Sequence, residues 1–154
     1  MQSDIVITHA LRTAMGSFQG ALASKTAPEL GGHAIAAVLA NAARMNSDIA
    51  RHIDEVIMGC VLPAGLGQAP ARQAGFHGGL GDTIPATTVN KMCGSGMKAV
   101  MLGVDQLRGG DADFIIAGGM ESMTNAPYLS KGTRDGARLG HQTFSDHMFL
   151  DGLE

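Results

Sequence analysis

Short apolar or β-branched runs alternate with helix-length stretches from Ile5 to Gly119, and this alternation limits the possible folds more than any other feature. Ile5-Val6-Ile7-Thr8 reads as a buried strand. A loop punctuated by Gly16 and Gly20 follows, over residues 10–24. Thr26, Pro28 and Glu29 form a helix start: a capping hydroxyl, a proline in the first turn and an early acid. That helix is expected to run to about Arg44. Ile53 to Val61 reads as a second strand, Pro70 to His77 as a short helix and Thr87 to Val89 as a third strand. A nearly all-apolar helix is expected from Gly96 to Leu107, and Phe114-Ile115-Ile116-Ala117 as a fourth strand ending in Gly118-Gly119. Strands separated by helices imply βαβ units, so the expected fold class is α/β: a mostly parallel sheet with helices on both faces. Past Ser122 the pattern dissolves into an irregular region, and Thr143 to Glu154 shows no helix cap or strand partner.

Composition narrows the function classes. Hydrophobic content of 45% and charged content of 16% over 154 residues describe a globular chain with a large buried fraction. A net charge of −3 with scattered Lys and Arg gives no electrostatic case for nucleic acid. Five Phe, one Tyr and no Trp offer little for base stacking. No apolar run approaches a membrane span, and the opening Met1-Gln2-Ser3-Asp4 lacks the build of a signal peptide. Two cysteines make neither a disulfide framework nor a zinc site. No metal is expected, and the simpler setting is a reducing one, the cytoplasm.

Cys93 is the candidate nucleophile. It sits in Asn90-Lys91-Met92-Cys93-Gly94-Ser95-Gly96-Met97-Lys98-Ala99, where a strand-like run turns into a helix. Its neighbouring glycines leave the thiol uncrowded. A thiol at a helix N-terminus faces unpaired N–H groups and the positive end of the dipole, and both favour the nucleophilic thiolate. The competing reading is an inert buried cysteine. Ser95 reads as a first-turn hydroxyl satisfying helix N–H groups. Met97 and Met101, at helical spacing, read as core filler. A lone histidine such as His141 or His147 reads as a solvated or hydrogen-bonded surface group.

Gly94-Ser95-Gly96-Met97-Lys98-Ala99 also matches a dinucleotide fingerprint, G-x-G-x-x-A. That pattern needs an acid at the carboxyl end of the next strand. Asp113 precedes that strand, and Glu121 lies further along than the pattern wants. A serine nucleophile elbow, G-x-S-x-G, is not supplied by Cys93-Gly94-Ser95-Gly96.

Several stretches resemble the thiolases. Asn90 to Ala99 looks like the motif around their acyl-accepting cysteine. Ala117-Gly118-Gly119-Met120-Glu121-Ser122-Met123-Thr124-Asn125-Ala126-Pro127 resembles a second thiolase signature. Leu11 to Gly20 is similar to their opening segment, which usually has proline where this chain has Ala14. Gly67-Gln68-Ala69-Pro70-Ala71-Arg72-Gln73 is similar to another thiolase stretch. Asp146-His147-Met148-Phe149-Leu150-Asp151-Gly152-Leu153 looks like the start of the loop that covers coenzyme A. The resemblance spans essentially the whole chain and leans toward the biosynthetic, acetoacetyl-CoA type.

The resemblance implies a layered α/β fold of which this chain holds only the N-terminal half, with residues 1–121 as the α/β domain and 122–154 opening the coenzyme A loop. It implies condensation of two acyl-CoA molecules or the reverse thiolysis. Cys93 would take the acyl group as a thioester, its N–H would join an oxyanion hole, and Leu153 would line the pantetheine channel. Coenzyme A thioesters enter as substrates, and no separate cofactor is implied. Thiolases are more than twice this long. Their Gly-His-Pro histidine, second catalytic cysteine and Asn-Glu motif are not in this sequence, and Cys60, in a strand-like run, is not that second cysteine. The implied partners are therefore an acyl-CoA, the missing half or a companion chain, and further copies in a dimer or tetramer. Two other readings stay open: a folded or interaction piece without turnover and, more distantly, a dinucleotide-binding oxidoreductase domain.

Overall fold

A computed structural model describes residues 4–154; Met1–Ser3, from the segment weighed as a signal peptide, lie outside it. Thr26 starts helix α1 (Ala27–Ala42) with a capping box. The Thr26 hydroxyl accepts from Glu29 N–H at 3.4 Å, and the Glu29 carboxylate accepts from Thr26 N–H at 2.8 Å. The backbone and hydroxyl hydrogen bonds from Thr26 hold the Glu29 carboxyl below its ordinary value. Strand β1 (Glu55–Gly59), helix α2 (Pro70–His77), strand β2 (Ala86–Val89), helix α3 (Ser95–Gly109) and strand β3 (Ile115–Gly119) follow in order.

The sheet order is β2-β1-β3, all parallel. The chain steps from β1 to one side and then crosses back over β1 to the other. Parallel crossovers are right-handed, so this reversal puts α2 and α3 on opposite faces. Alternation along β1 divides its side chains accordingly. Val56 and Met58, with Cys60 just beyond, enter a core shared with Ile35 and Leu39 of α1, Ala71 and Ala74 of α2, and Met120. Ile57 and Gly59 face α3. The helices pack closely, against each other and against the sheet, because small residues allow it. A side chain at Gly31 of α1 would meet Met120 Sδ at 2.8 Å and Ala74 Cβ at 3.2 Å. A side chain at Gly59 would meet the Ser95 backbone carbon at 2.6 Å.

Carboxylates tie the strand entrances together. Glu55 accepts from the Thr87 hydroxyl and from the Gln106 amide, both at 2.6 Å. Asp54 accepts from the N–H groups of Phe114 (2.9 Å) and Asp113 (2.7 Å), and these bonds hold its carboxyl below the ordinary value.

Three expectations need correction. Ile5–Thr8 forms no strand: among the described residues no strand pairs with it, and Val6 and Ile7 are exposed. An apolar β-branched run becomes a strand only beside another strand, and none lies there among the described residues. Met97 and Met101 are not core filler, being 74% and 53% exposed. Helix α3 buries Ser95, Ala99 and Gly103 instead, a stripe of small residues that lets it sit close to the sheet. The irregular tail also pairs after all. Strand β4 (Tyr128–Leu129) joins β5 (Ser145–Asp146) antiparallel, with Tyr128 opposite Asp146. A π-turn, Phe149–Leu153, ends the chain.

The tightness at Gly59 gives a direct test. Gly59→Ala forces its methyl against Ser95 backbone, which cannot swing away as a side-chain tip can. The expected loss is about 1–3 kcal/mol in a urea melt. An unchanged midpoint would mean that α3 does not rest on β1 here.

Candidate active site

All three parallel strands end level, with Gly59 in register with both Val89 and Gly119. Loops leaving the carboxyl ends of such strands are where open α/β sheets place their sites. Asn90 to Gly94 is the loop after β2, and it turns sharply. The Asn90 side-chain oxygen accepts from Met92 N–H at 2.9 Å. Met92 takes φ +49°, a left-handed conformation that costs a non-glycine residue roughly 1–3 kcal/mol. Gly94 N–H then donates to Lys91 C=O at 3.1 Å and Ser95 N–H to Met92 C=O at 3.0 Å. Cys93 lies just before the Gly94 cap of α3 and is exposed. Exposed backbone strain held by a ring of hydrogen bonds belongs to loops that present a side chain.

Ser95 holds this turn, but not in the expected way. Its hydroxyl accepts from Lys91 N–H at 2.9 Å and donates to Met92 C=O. It bonds the loop before the helix rather than helix N–H groups. The reason is its burial against Gly59, which points the hydroxyl back toward the turn.

The loop after β1 stands beside this turn. Asn90 donates its side-chain amide to Val61 C=O at 3.3 Å. Glu121, just past β3, accepts from Val61 N–H at 2.8 Å and Leu62 N–H at 3.1 Å. Cys60 is 2% exposed, and its thiol donates to Glu121 at 3.6 Å. Burial first, then the Glu121 charge and hydrogen bond, push the Cys60 thiol up to about 12. It is a protonated, inert thiol near neutral pH. Leu153 is exposed in the terminal turn, whose Gly152 sits beside Leu62. The turn that carries Cys93 and the turn that carries Leu153 thus each adjoin the loop that follows β1, one through Asn90 and the other through Gly152.

Other candidates fare differently. Asp113 lies at the entrance of β3, as expected, and Glu121 is committed to loop N–H groups, so neither supplies the acid of a dinucleotide site. Residues His9, His33, His52, His77 and His141 are not part of this edge's hydrogen bonds. His147 is not a surface group: it is 4% exposed and bonded on both ring nitrogens. Among the described residues no cluster of three or more His, Cys, Asp or Glu could hold a metal ion. No helix among them is long and apolar enough to cross a membrane. Sequence reasoning missed the roles of Glu121 and Asn90. Their only signal was position, an acid and an amide directly after strand ends.

A parallel sheet with helices on both faces, presenting an exposed cysteine on a strained turn at its carboxyl edge, describes an α/β protein with a candidate site on the loop after β2. The family model for the thiolase N-terminal domain matches residues 5–154. An acetyl-CoA acetyltransferase of Pseudomonas aeruginosa is 52% identical over 150 residues, covering 97% of this chain and 37% of that protein. Proteins of the same name from Saccharomyces pastorianus and Cupriavidus necator are each 49% identical, over 99% and 98% of this chain. The chain belongs to the thiolase family and corresponds to the N-terminal part of its members. It spans 37–38% of the length of these relatives.

The contrast between the thiols is measurable. Iodoacetamide is expected to label Cys93 well ahead of Cys60 in folded protein, read by peptide mapping; preferential labelling of Cys60 would overturn the assignment. The Cys60 shift also sets a pH dependence. Its folded value lies above its unfolded value of 9.0, so its stabilisation is complete below pH 9 and is lost as pH rises toward about 12. Melting temperature should therefore fall more steeply across that window in the native chain than in Cys60→Ala. Parallel curves would show that the thiol is not protected.

Proposed function

We propose that this chain carries the acyl-accepting part of a thiolase-type acyltransferase, one that condenses two acetyl-CoA into acetoacetyl-CoA or runs the reverse thiolysis. The observation that carries this reading is the exposed Cys93 thiol on its strained turn at the carboxyl edge of the sheet. The Cys93 sulfur attacks the thioester carbonyl and gives up its proton to a base. A new carbon–sulfur bond forms, the old one breaks, and coenzyme A leaves as its thiol. Exchange of one thioester for another changes little in energy and splits a hard step in two. The Cys93 N–H serves the oxyanion of the tetrahedral intermediate. Residues 122–154 begin the segment that covers coenzyme A, with Leu153 on the pantetheine wall. Acyl-CoA thioesters are substrates and no other cofactor takes part. Two unpaired cysteines suit a reducing compartment such as the cytoplasm.

Deprotonating the second acetyl-CoA at its methyl carbon needs a positioned base. The thiolase resemblance puts that group in a second half, so the proposal includes a remaining segment or companion chain. The 154-residue chain alone is expected to show at most slow, single-turnover acylation of Cys93 from acetyl-CoA, read by intact mass. Sustained acetoacetyl-CoA synthesis by the purified chain would refute the division of labour. Failure of Cys93 to accept any acetyl group would remove the reading itself.

A second reading, a folded or interaction piece, is favoured by the exposed apolar row Met97, Val100 and Met101 on α3. Covering a few hundred Å² of such surface is worth several kcal/mol at roughly 25 cal/mol/Å². The open outer edges of β2 and β3 add unpaired backbone groups. The chain is therefore expected to associate, as dimers, tetramers or with a complementary half. Light scattering and melts at several concentrations check this; a concentration-independent melt at monomer mass would contradict it.

A further inference from the structure

His147 joins three segments that are distant in sequence. Its ring Nδ1 lies 2.6 Å from Asp151 Oδ2, and its Nε2 faces Ala64 N–H at 3.4 Å. Its own N–H donates to Pro127 C=O at 3.1 Å. A backbone N–H can only donate, so Nε2 is the acceptor, and Nδ1 carries the proton that it shares with the carboxylate. The loop after β1 and the terminal turn thus meet on one imidazole, and the backbone of the same residue holds the approach to β4. The turn has little else to hold it, because no residue of Phe149–Leu153 is buried. Polar contacts to His147, together with Gly152 beside Leu62, fix it in place.

We propose that the His147–Asp151 pair is a latch that closes the terminal turn over the loop after β1, making His147 a positioning residue for the acyl-CoA wall that includes Leu153. The latch itself stands on the hydrogen bonds; only the clause about acyl-CoA rests on the thioester reading. The same loop receives the Asn90 amide and the Glu121 carboxylate. Closing the turn onto it sets where Leu153 stands relative to the turn that carries Cys93. A pure packing role is a different claim: it would be met by any side chain of similar volume, whereas the latch needs an acceptor facing Ala64 and a donor facing Asp151.

Hydrogen exchange by mass spectrometry on the full 154-residue chain separates these claims. The variants are His147→Leu, His147→Gln and Asp151→Ala. Asp151 is 48% exposed, so Asp151→Ala leaves the core intact and keeps a folded variant in hand. Loss of a hydrogen bond to a charged group should speed exchange of peptides covering residues 146–154 by about tenfold in Asp151→Ala and His147→Leu. Peptides from α1 and β1 should not change. His147→Gln, whose amide can accept from Ala64 N–H, should stay nearer the native rate. Unchanged exchange at 146–154 in Asp151→Ala, or an equal rise throughout the chain, overturns the latch. A second arm compares Cys93 acetylation by acetyl-CoA with its alkylation by iodoacetamide. Slower acetylation with unaltered alkylation in Asp151→Ala supports the positioning role, and equal rates of both overturn it. If native chain accepts no acetyl group, the thioester reading falls, while the exchange arm still decides the latch.

Discussion

Everything at the carboxyl edge depends on how closely α3 rests on β1. Gly59 is in register with both neighbouring strands and meets Ser95 without a side chain between them. That contact buries Ser95, and the buried hydroxyl has to find partners. It finds them in Lys91 N–H and Met92 C=O, which bends the chain back on itself and puts Met92 into a left-handed conformation. The exposed position of Cys93 is the outcome of this sequence of constraints. A bulkier residue at 59 or an apolar one at 95 would break it at different points: one by lifting the helix, the other by freeing the turn.

A second arrangement of charge and backbone stands beside the first. Glu121 accepts two N–H groups of the loop after β1 and faces the Cys60 thiol. One carboxylate thereby orders a loop and suppresses ionisation of a neighbouring cysteine, while Cys93 stays open to solvent. The two cysteines of this small domain stand in different environments: Cys60 is buried beside a carboxylate, and Cys93 is exposed just before α3. The loop held by Glu121 also receives Asn90 from one side and the terminal turn from the other.

Helices α1, α2 and α3, and strands β1 to β3, were legible in the sequence because their signals are local. The capping pair Thr26 and Glu29, the proline that opens α2 and the β-branched runs act within a few residues. The errors arose where a partner decides the outcome. Ile5–Thr8 has strand composition, but a strand exists only with a neighbour. Met97 and Met101 have core composition, yet α3 turns its small residues to the sheet because close approach gains more contact than long side chains allow at that spacing. The pairing of β4 with β5 joins segments 16 residues apart by register, Leu129 with Ser145, through a stretch with no periodic pattern at all.

The sequence by itself determined the α/β class, the alternation of β1 to β3 with α2 and α3, the turn that carries Cys93 and the family to which the chain belongs. These follow from period, turn chemistry and long ordered motifs. Only the tertiary structure decided what Ser95 binds, where the Glu121 carboxylate goes and that His147 is buried between three segments. Each of those is a contact between residues far apart in the chain, or an orientation set by burial. Side-chain chemistry alone does not say which partner a polar group will meet; packing of the sheet, helices and loops does.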